Sequence, residues 1–343
     1  MTAFAHHPAV RRAWHAVVRA SDVRDRPLAV RVCGDDIVVW RGRDGAIAAA
    51  PDRCPHRQAP LSLGTVVDGL LECAYHGWSF APDGRCELVP ASGPGAPVPP
   101  RAHLACVRVQ ERYGLVWVCL GEPVAELPLV PEDGDPSFRR IVQPVERWAT
   151  AATRMVDNFN DVAHFPWVHA GTFGAAAERR VAPVTLERLG DWHGWRYEVT
   201  AANDALGAST TGQTTATVAR RMTTGFSLPF LVRSTIEYPA TGLHHVLLLV
   251  TTPVDDEHSL FTFVVWRNDD FRVSADEVTT FDRAIGAEDK AMLERVPGTL
   301  PLDATTLVNT QADRASVEWR RQLRAWLDRD AAPPTPGAPA SET

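Results

Sequence analysis

The chain contains no uninterrupted apolar run of about 18 residues, so no segment reads as a membrane-spanning helix. Positive charge is not in excess: 35 Lys and Arg against 42 Asp and Glu leave a formal net charge of −7. That balance speaks against nucleic acid or an anionic membrane surface as a partner. Cysteine is sparse. The six residues Cys33, Cys54, Cys73, Cys86, Cys106 and Cys119 are too few for a disulfide scaffold. At 343 residues the chain is long enough for two domains with cores of their own. The opening stretch MTAFAHHPAVRRAWHAVV lacks an apolar segment followed by a small-residue cleavage site, so no signal peptide is expected and a cytoplasmic location is. Gly-x-Gly-x-x-Gly after a strand is missing, as is plant-type ferredoxin cysteine spacing, so no dinucleotide or flavin site is expected.

What is present divides into two textures. Between residues 28 and 120, short apolar runs such as "LAVRVCG", "IVVWRG", "LLECAYHGWSF" and "LVWVCLG" alternate with turn signals, which predicts a small all-β domain. From about Glu146 onward, "WRYEVTA", "LVRSTIEY", "HHVLLLVTT" and "LFTFVVWR" predict one antiparallel sheet. The small polar stretch "NDALGASTTGQTTATVA" between the first two of these reads as a mobile loop. Ser274 and Glu277 form a capping-box pattern opening a helix through about Val296, and a second, charged helix is expected from about Asp303 to Arg329. The fold class is therefore α+β. Its expected divisions are 1–125, 126–330 and a disordered Pro/Ala-rich tail over 331–343.

All chemistry-bearing cysteines sit in the front part. Cys54-x-His56 and Cys73-x-x-His76 each pair one thiol with one imidazole. Zinc is the alternative for two Cys and two His, but it favours Cys–Cys and His–His pairs, each from one turn. A Rieske [2Fe–2S] centre needs two Cys on one iron and two His on the other, and two loops giving one of each form a clamp around it. The remaining four cysteines lie in apolar contexts and read as ordinary buried thiols.

A second constellation follows at Asn158-x-x-Asp161-x-x-His164-Phe-Pro-Trp-Val-His169. On a helix, Asn158, Asp161 and His164 share one face. Pro166 lacks an amide proton and should break the helix, bringing His164 and His169 to one ion. Two His and one carboxylate form the facial triad of non-haem Fe(II) oxygenases. The carboxylate expected is Asp289, because the later helix carries an apolar stripe of Val278, Phe281, Ile285, Met292 and Val296 with Asp289 in line. Glu288, about 100° round the helix, is expected to face solvent. The alternatives are a pair of packed histidines, and a buried Asp289 paired with an Arg or a helix disturbed at Gly286.

With "CPHR…CAYHGW", "DNFNDVAHFPWVHAGTFG" and "EDKAMLE" in place, the chain resembles the oxygenase component of Rieske non-haem iron oxygenases, of the vanillate and dicamba O-demethylase type, over nearly its whole length. The resemblance implies a Rieske domain on a helix-grip catalytic domain, with Cys54, His56, Cys73 and His76 on the cluster. It implies His164, His169 and Asp289 on a mononuclear Fe(II), and a head-to-tail homotrimer. Asp161 then bridges His76 of one subunit to His164 of the next, and Asn158 joins it among the catalytic residues. Dioxygen is the co-substrate, and NAD(P)H contributes only through a separate reductase, with or without a ferredoxin. Pro166 departs from many relatives and puts the pocket's shape in question.

The expected reaction is monooxygenation, by hydroxylation or by O- or N-demethylation, of an apolar or aromatic small molecule. The alternatives are a cis-dihydroxylating ring dioxygenase, an electron-transfer Rieske protein without catalysis and a zinc-stabilised binding module. The strands expected to line the pocket are mainly apolar, with Arg233, His244 and His245 as candidate polar anchors.

Overall fold

The computed structural model describes residues 4–93, 95–170, 172, 174, 179–203, 205–269, 272–303 and 305–330. The expected disordered tail, 331–343, lies outside the described residues. After the short helix α1 (Pro8–Arg11), three small antiparallel sheets build the front part. One joins Leu28–Val32, Asp35–Arg41 and Ile47–Pro51, and a second joins Thr65–Val67, Leu70–Glu72, Ser79–Phe80 and Cys86–Leu88. The third joins His15–Arg19, Leu115–Cys119 and Arg108–Arg112. The turns Cys33-Gly34 and Asp68-Gly69 carry positive φ at both positions, the twist a two-residue hairpin requires. "LLECAYHGWSF" is therefore two strands, Leu70–Glu72 and Ser79–Phe80, parted by the loop that carries Cys73 and His76.

The rear part is one eight-stranded antiparallel sheet. Its order is Arg139–Val142, Ser259–Arg267, Leu243–Pro253, Leu231–Tyr238, Thr217–Ser227, Trp192–Ala202, Glu187–Leu189, with Glu146–Trp148 also paired to Ser259–Arg267. Helices α2 (Ala152–Phe159), α3 (Phe165–Val168), α4 (Ala205–Thr211), α5 (Ala275–Leu293) and α6 (Arg314–Asp330) complete it. The fold is thus the expected α+β one. Val17, Ile37 and Val116 of the front part share one apolar cluster with Phe226, Val232 and Trp319 of the rear part. Backbone bonds from Cys33 and Gly34 to the carbonyls of Pro253 and Val254, both 2.8 Å, fasten that seam.

The capping box at Ser274 and Glu277 forms in both directions, 3.1 and 3.0 Å. Other expectations need correction. α5 ends at Leu293, and its inner stripe continues through buried Leu293 rather than Met292, which is 50% exposed. The charged helix begins at Arg314, not Asp303, because the Asp303 carboxylate is taken up by the amides and hydroxyls of Thr305 and Thr306. Part of the expected mobile loop is helix α4, and Asn203 ties that segment together by donating to the carbonyls of Gln213 and Thr215. Cys106 is exposed, not buried.

Candidate active site

Two adjacent loops of the front part present the Cys/His pairs. In each, an amide returns to the carbonyl of the cysteine: Gln58 N–H to Cys54 at 2.8 Å and Gly77 N–H to Cys73 at 2.9 Å. Gly77 holds φ +69°, a left-handed value that lets the chain turn immediately after His76. Both thiols are buried, His56 is half-buried and His76 is exposed. The two imidazole rings lie 4.5 Å apart, and Trp78 stacks flat on His56 at 4.6 Å. Burial, joined by the adjacent Cys73, pushes the Cys54 thiol up to about 11. A metal's charge reverses this, since a coordinating thiol loses its proton. His56 Nδ1 is buried with no hydrogen-bond partner, as a ring turned toward a metal would leave it. Among the described residues, no three of these four bring their ligand atoms within 4.8 Å of one another. A single tetrahedral zinc would hold all four within about 4 Å. The spread suits two bridged irons.

The second constellation is built by a broken helix. α2 ends at Phe159 with Asn160 as its cap, so Asn158, Asp161 and His164 are not on one continuous helix face. Asp161 instead accepts from the Ala163 amide at 2.8 Å and from His164 Nδ1 at 3.1 Å, setting up the next turn. Pro166 falls in the first turn of α3, where its missing N–H costs nothing. His164 and His169 are the two caps of that single turn. Gly174 closes it from outside: a Cβ there would lie 2.0 Å from the Phe165 carbonyl oxygen.

His164 Nε2 and His169 Nε2 are 3.2 Å apart, and Asp289 Oδ1 lies 3.5 Å from the first and 3.3 Å from the second. Asn158 donates to that same Asp289 oxygen at 3.0 Å. The outward nitrogens decide the tautomers. His164 Nδ1 faces Asp161, and His169 Nδ1 faces Glu288 at 2.8 Å, so each neutral ring carries its proton on Nδ1. Three acceptor atoms therefore converge on one point without a proton between them. Bare, they repel; atoms bound at about 2.1 Å to one cation stand about 3 to 3.4 Å apart, close to the spacing found. Although burial lowers the His169 imidazole, Asp289 and then Glu288 outweigh it and raise it. Although burial raises the Asp161 carboxyl, its bonds from His164 and Ala163 hold it below the ordinary range.

Asp289 thus occupies the buried slot its place on the stripe implied. Glu288 does not face solvent: its Oε2 accepts from His169 Nδ1 and, at 2.7 Å, from Thr172. A carboxylate that orients a ligating imidazole leaves no periodicity signal, because it need only be half-buried. The acidic pair in "AEDKAM" was the one hint.

The triad opens onto a cavity of ≈ 120 Å³ between the sheet and α5. Alternate residues of four neighbouring strands form its floor, including Thr224, Ser234, Ile236, His245, Leu247 and Phe263. Phe281, Asp282, Ile285 and Gly286 of α5 form the roof. Of the candidate anchors, only His245 lines it; Arg233 pairs with Glu132, and His244 packs against Phe138 on the other face. Asp282 was not foreseen.

The family model of the Rieske [2Fe-2S] domain matches residues 13–109, and that of the vanillate O-demethylase oxygenase C-terminal domain matches residues 148–329. Methylxanthine N1-demethylase NdmA of Pseudomonas putida is 30% identical over 324 residues, covering 92% of this chain and 88% of the relative. The vanillate O-demethylase oxygenase subunit of a Pseudomonas strain is 34% identical over 192 residues, 53% of this chain and 51% of the relative. The solved structure of Pseudomonas putida CBB5 NdmA with caffeine aligns at a TM-score of 0.82 and 26% identity, covering 98% of this chain and all of that one.

Proposed function

Because the chain belongs to the Rieske oxygenases, as an oxygenase component with a vanillate O-demethylase-type C-terminal domain, we propose that it is the terminal monooxygenase of a multicomponent system. Its substrate is an apolar or aromatic small molecule, hydroxylated or relieved of an O- or N-methyl group. The overall reaction consumes dioxygen, two electrons and two protons. One oxygen enters a C–H bond, the other leaves as water, and a hydroxylated methyl on O or N departs as formaldehyde.

Cys54, His56, Cys73 and His76 would hold the [2Fe–2S] cluster. His164, His169 and Asp289 would hold the mononuclear iron, whose bound form supplies the open positions at which dioxygen is activated. The observation that carries this reading is the meeting of two imidazole nitrogens and a carboxylate oxygen, 3.2 to 3.5 Å apart, at the mouth of a largely apolar cavity. The remaining work belongs to the chain. Glu288 and Asp161 keep both imidazole protons on the outward nitrogens, so that the inward lone pairs stay available. Asn158 holds the Asp289 oxygen in place. Leu247, Leu249, Phe261 and Phe263 exclude water and pack against an apolar ring.

Asp161 has acceptor capacity left beyond His164 and Ala163, and its side chain is 24% exposed. We place it at a subunit junction, receiving the exposed His76 of a neighbouring copy in a homotrimer. Exposed Leu63, Tyr75 and Leu88 around the cluster loops and exposed Trp167 beside His164 are apolar surfaces such a junction would cover. The proposed divisions are 1–125 for the cluster part and 126–330 for the oxygenase part. Electrons come from a separate reductase drawing on NAD(P)H, directly or through a ferredoxin, in the cytoplasm.

Anaerobically purified protein should be brown, with about three irons and two labile sulfides per chain and a rhombic EPR signal on reduction. Asp289→Ala should lose about one iron and all turnover while the cluster spectrum persists. Stoichiometric zinc without sulfide would overturn the assignment.

A further inference from the structure

One buried carboxylate in the cavity is not used by the chemistry above. Asp282 lies on α5 two turns before Asp289, and its side chain is 6% exposed. Its Oδ1 is 3.3 Å from His245 Nε2. The other ring nitrogen, Nδ1, is 3.1 Å from Arg267 Nη1. A guanidinium only donates, so Nδ1 accepts, and a neutral His245 ring carries its proton on Nε2, the nitrogen nearest Asp282.

Arg267 cannot turn away from this arrangement. It is fully buried, and it donates to Asp269 at 2.8 Å and to the Thr210 carbonyl at 2.6 Å. Asp269 in turn receives Arg139 at 2.7 Å. The ring is thus held from behind by a fixed chain of hydrogen bonds running away from the cavity, and it stands at ion-pair distance from the Asp282 carboxylate.

Asp282 Oδ2 is different. It is buried and has no hydrogen-bond partner, and it is the one such side-chain atom among the described residues lining this cavity. The hydroxyls nearby are occupied with each other: Thr224 and Ser234 are 3.0 Å apart, and Tyr197 stands 3.4 Å from Thr224. An unmatched buried acceptor whose polar neighbours are occupied with one another costs stability and is relieved when a donor arrives.

We propose that the Asp282 carboxylate accepts a hydrogen bond from the substrate, whose class is an uncharged aromatic or heteroaromatic molecule presenting an O–H or N–H. The assignment rests on the oxygenase reading and narrows it. An aryl carboxylate is rejected, because it would set two acceptor-only groups against each other where no water screens them. His245 is a positioning residue: its ring stands 3.3 Å from Asp282 Oδ1 and sets the orientation of the carboxylate.

The test is calorimetric binding to the anaerobic holoprotein, using matched sets that differ in one group. In one set guaiacol carries the free O–H, veratrole has it methylated, and 2-methoxybenzoate has a carboxylate in its place. A parallel set of N-methyl heteroarenes compares a free ring N–H with the same nitrogen methylated. The donor-bearing member should bind about ten- to a hundred-fold more tightly than its methylated partner, the range expected for a hydrogen bond to a charged acceptor. The carboxylate should bind weakest. In Asp282→Asn, where one oxygen is replaced by a donor, the ranking should invert toward veratrole.

Equal binding within the pairs would mean that Asp282 holds only water, and would overturn the proposal. So would a preference for the carboxylate, no binding by any member, or an unchanged ranking in Asp282→Asn. The wild-type ranking decides the matter even if that variant does not fold. Iron and sulfide content and the EPR signal of the same preparations report separately on the oxygenase reading.

Discussion

At the scale of single residues, the site depends on where protons are kept. His164 and His169 offer lone pairs inward only because Asp161 and Glu288 hold their protons outward. Glu288→Ala removes the oxygen that His169 and Thr172 both donate to. It should weaken iron binding at the triad about 10- to 100-fold, read by competitive chelation, while the cluster's absorption is unchanged. Wild-type iron affinity would mean that Glu288 touches His169 without supporting it as a ligand. Asp161→Asn keeps the shape but turns one acceptor into a donor, so one of its hydrogen bonds must go. That variant should fold, keep the wild-type oligomeric state and metal content, and accept electrons into the cluster. Stopped-flow oxidation of the reduced cluster, with substrate and dioxygen, should nonetheless be very slow. A purely structural Asp161 predicts lower stability with that oxidation rate intact.

Among the elements, α5 does two jobs on one face. Buried Val278, Phe281 and Leu293 dock it on the sheet, while Asp282 and Asp289 on the same side serve the cavity. Gly286 sits between the two carboxylates in mid-helix, where glycine costs about 0.5 to 1 kcal/mol relative to alanine. A Cβ there would meet nothing within 4 Å. Gly286→Ala should therefore raise stability by about that amount, visible as a rise in melting temperature of about one degree. A fall would show that the space above Gly286 is filled in solution. The interruption between α2 and α3 is the other device of this scale, since it turns a five-residue spacing that no regular helix could use into two converging imidazoles.

Across the whole molecule, the front and rear parts are joined by two apolar clusters, and His15 packs against Phe230 of one of them. The ring is 1% exposed, Nε2 donates to the Val10 carbonyl at 2.7 Å, and Phe230 of the rear part packs 6.3 Å away. Burial holds its imidazole down at about 4, below the ordinary 6.5. The unfolded chain therefore takes up this proton first as pH falls. The stabilisation from the neutral ring is complete above about pH 6.5 and is lost progressively as pH falls through about 4. The whole effect is about 3 kcal/mol. Urea unfolding from pH 6.5 to 4 should show a shallower loss of stability in His15→Gln than in the wild type. Parallel slopes would mean that the seam opens to water on acidification.

The sequence by itself determined the α+β architecture, because strand alternation, turn dipeptides and the Ser274/Glu277 cap are local and their physics is complete within a few residues. It also singled out Cys54, His56, Cys73, His76, His164 and His169 by short spacings, and Asp289 by the cost of placing a carboxylate in an apolar stripe. Tertiary structure decided the rest. The helix break before His164 depends on Asp161 capturing local amide and imidazole protons, which outcompetes helical continuation. Just before α6, side chains act in the same manner: Thr310 and Asp313 cap each other's turn ahead of Arg314. Glu288 and Asp282 were invisible in the chain because their partners, His169 and His245, lie 119 and 37 residues away in sequence. Which buried carboxylate oxygen is left without a partner is fixed only when a helix docks on a sheet, since an unpaired acceptor is a property of a packed interior and not of a spacing.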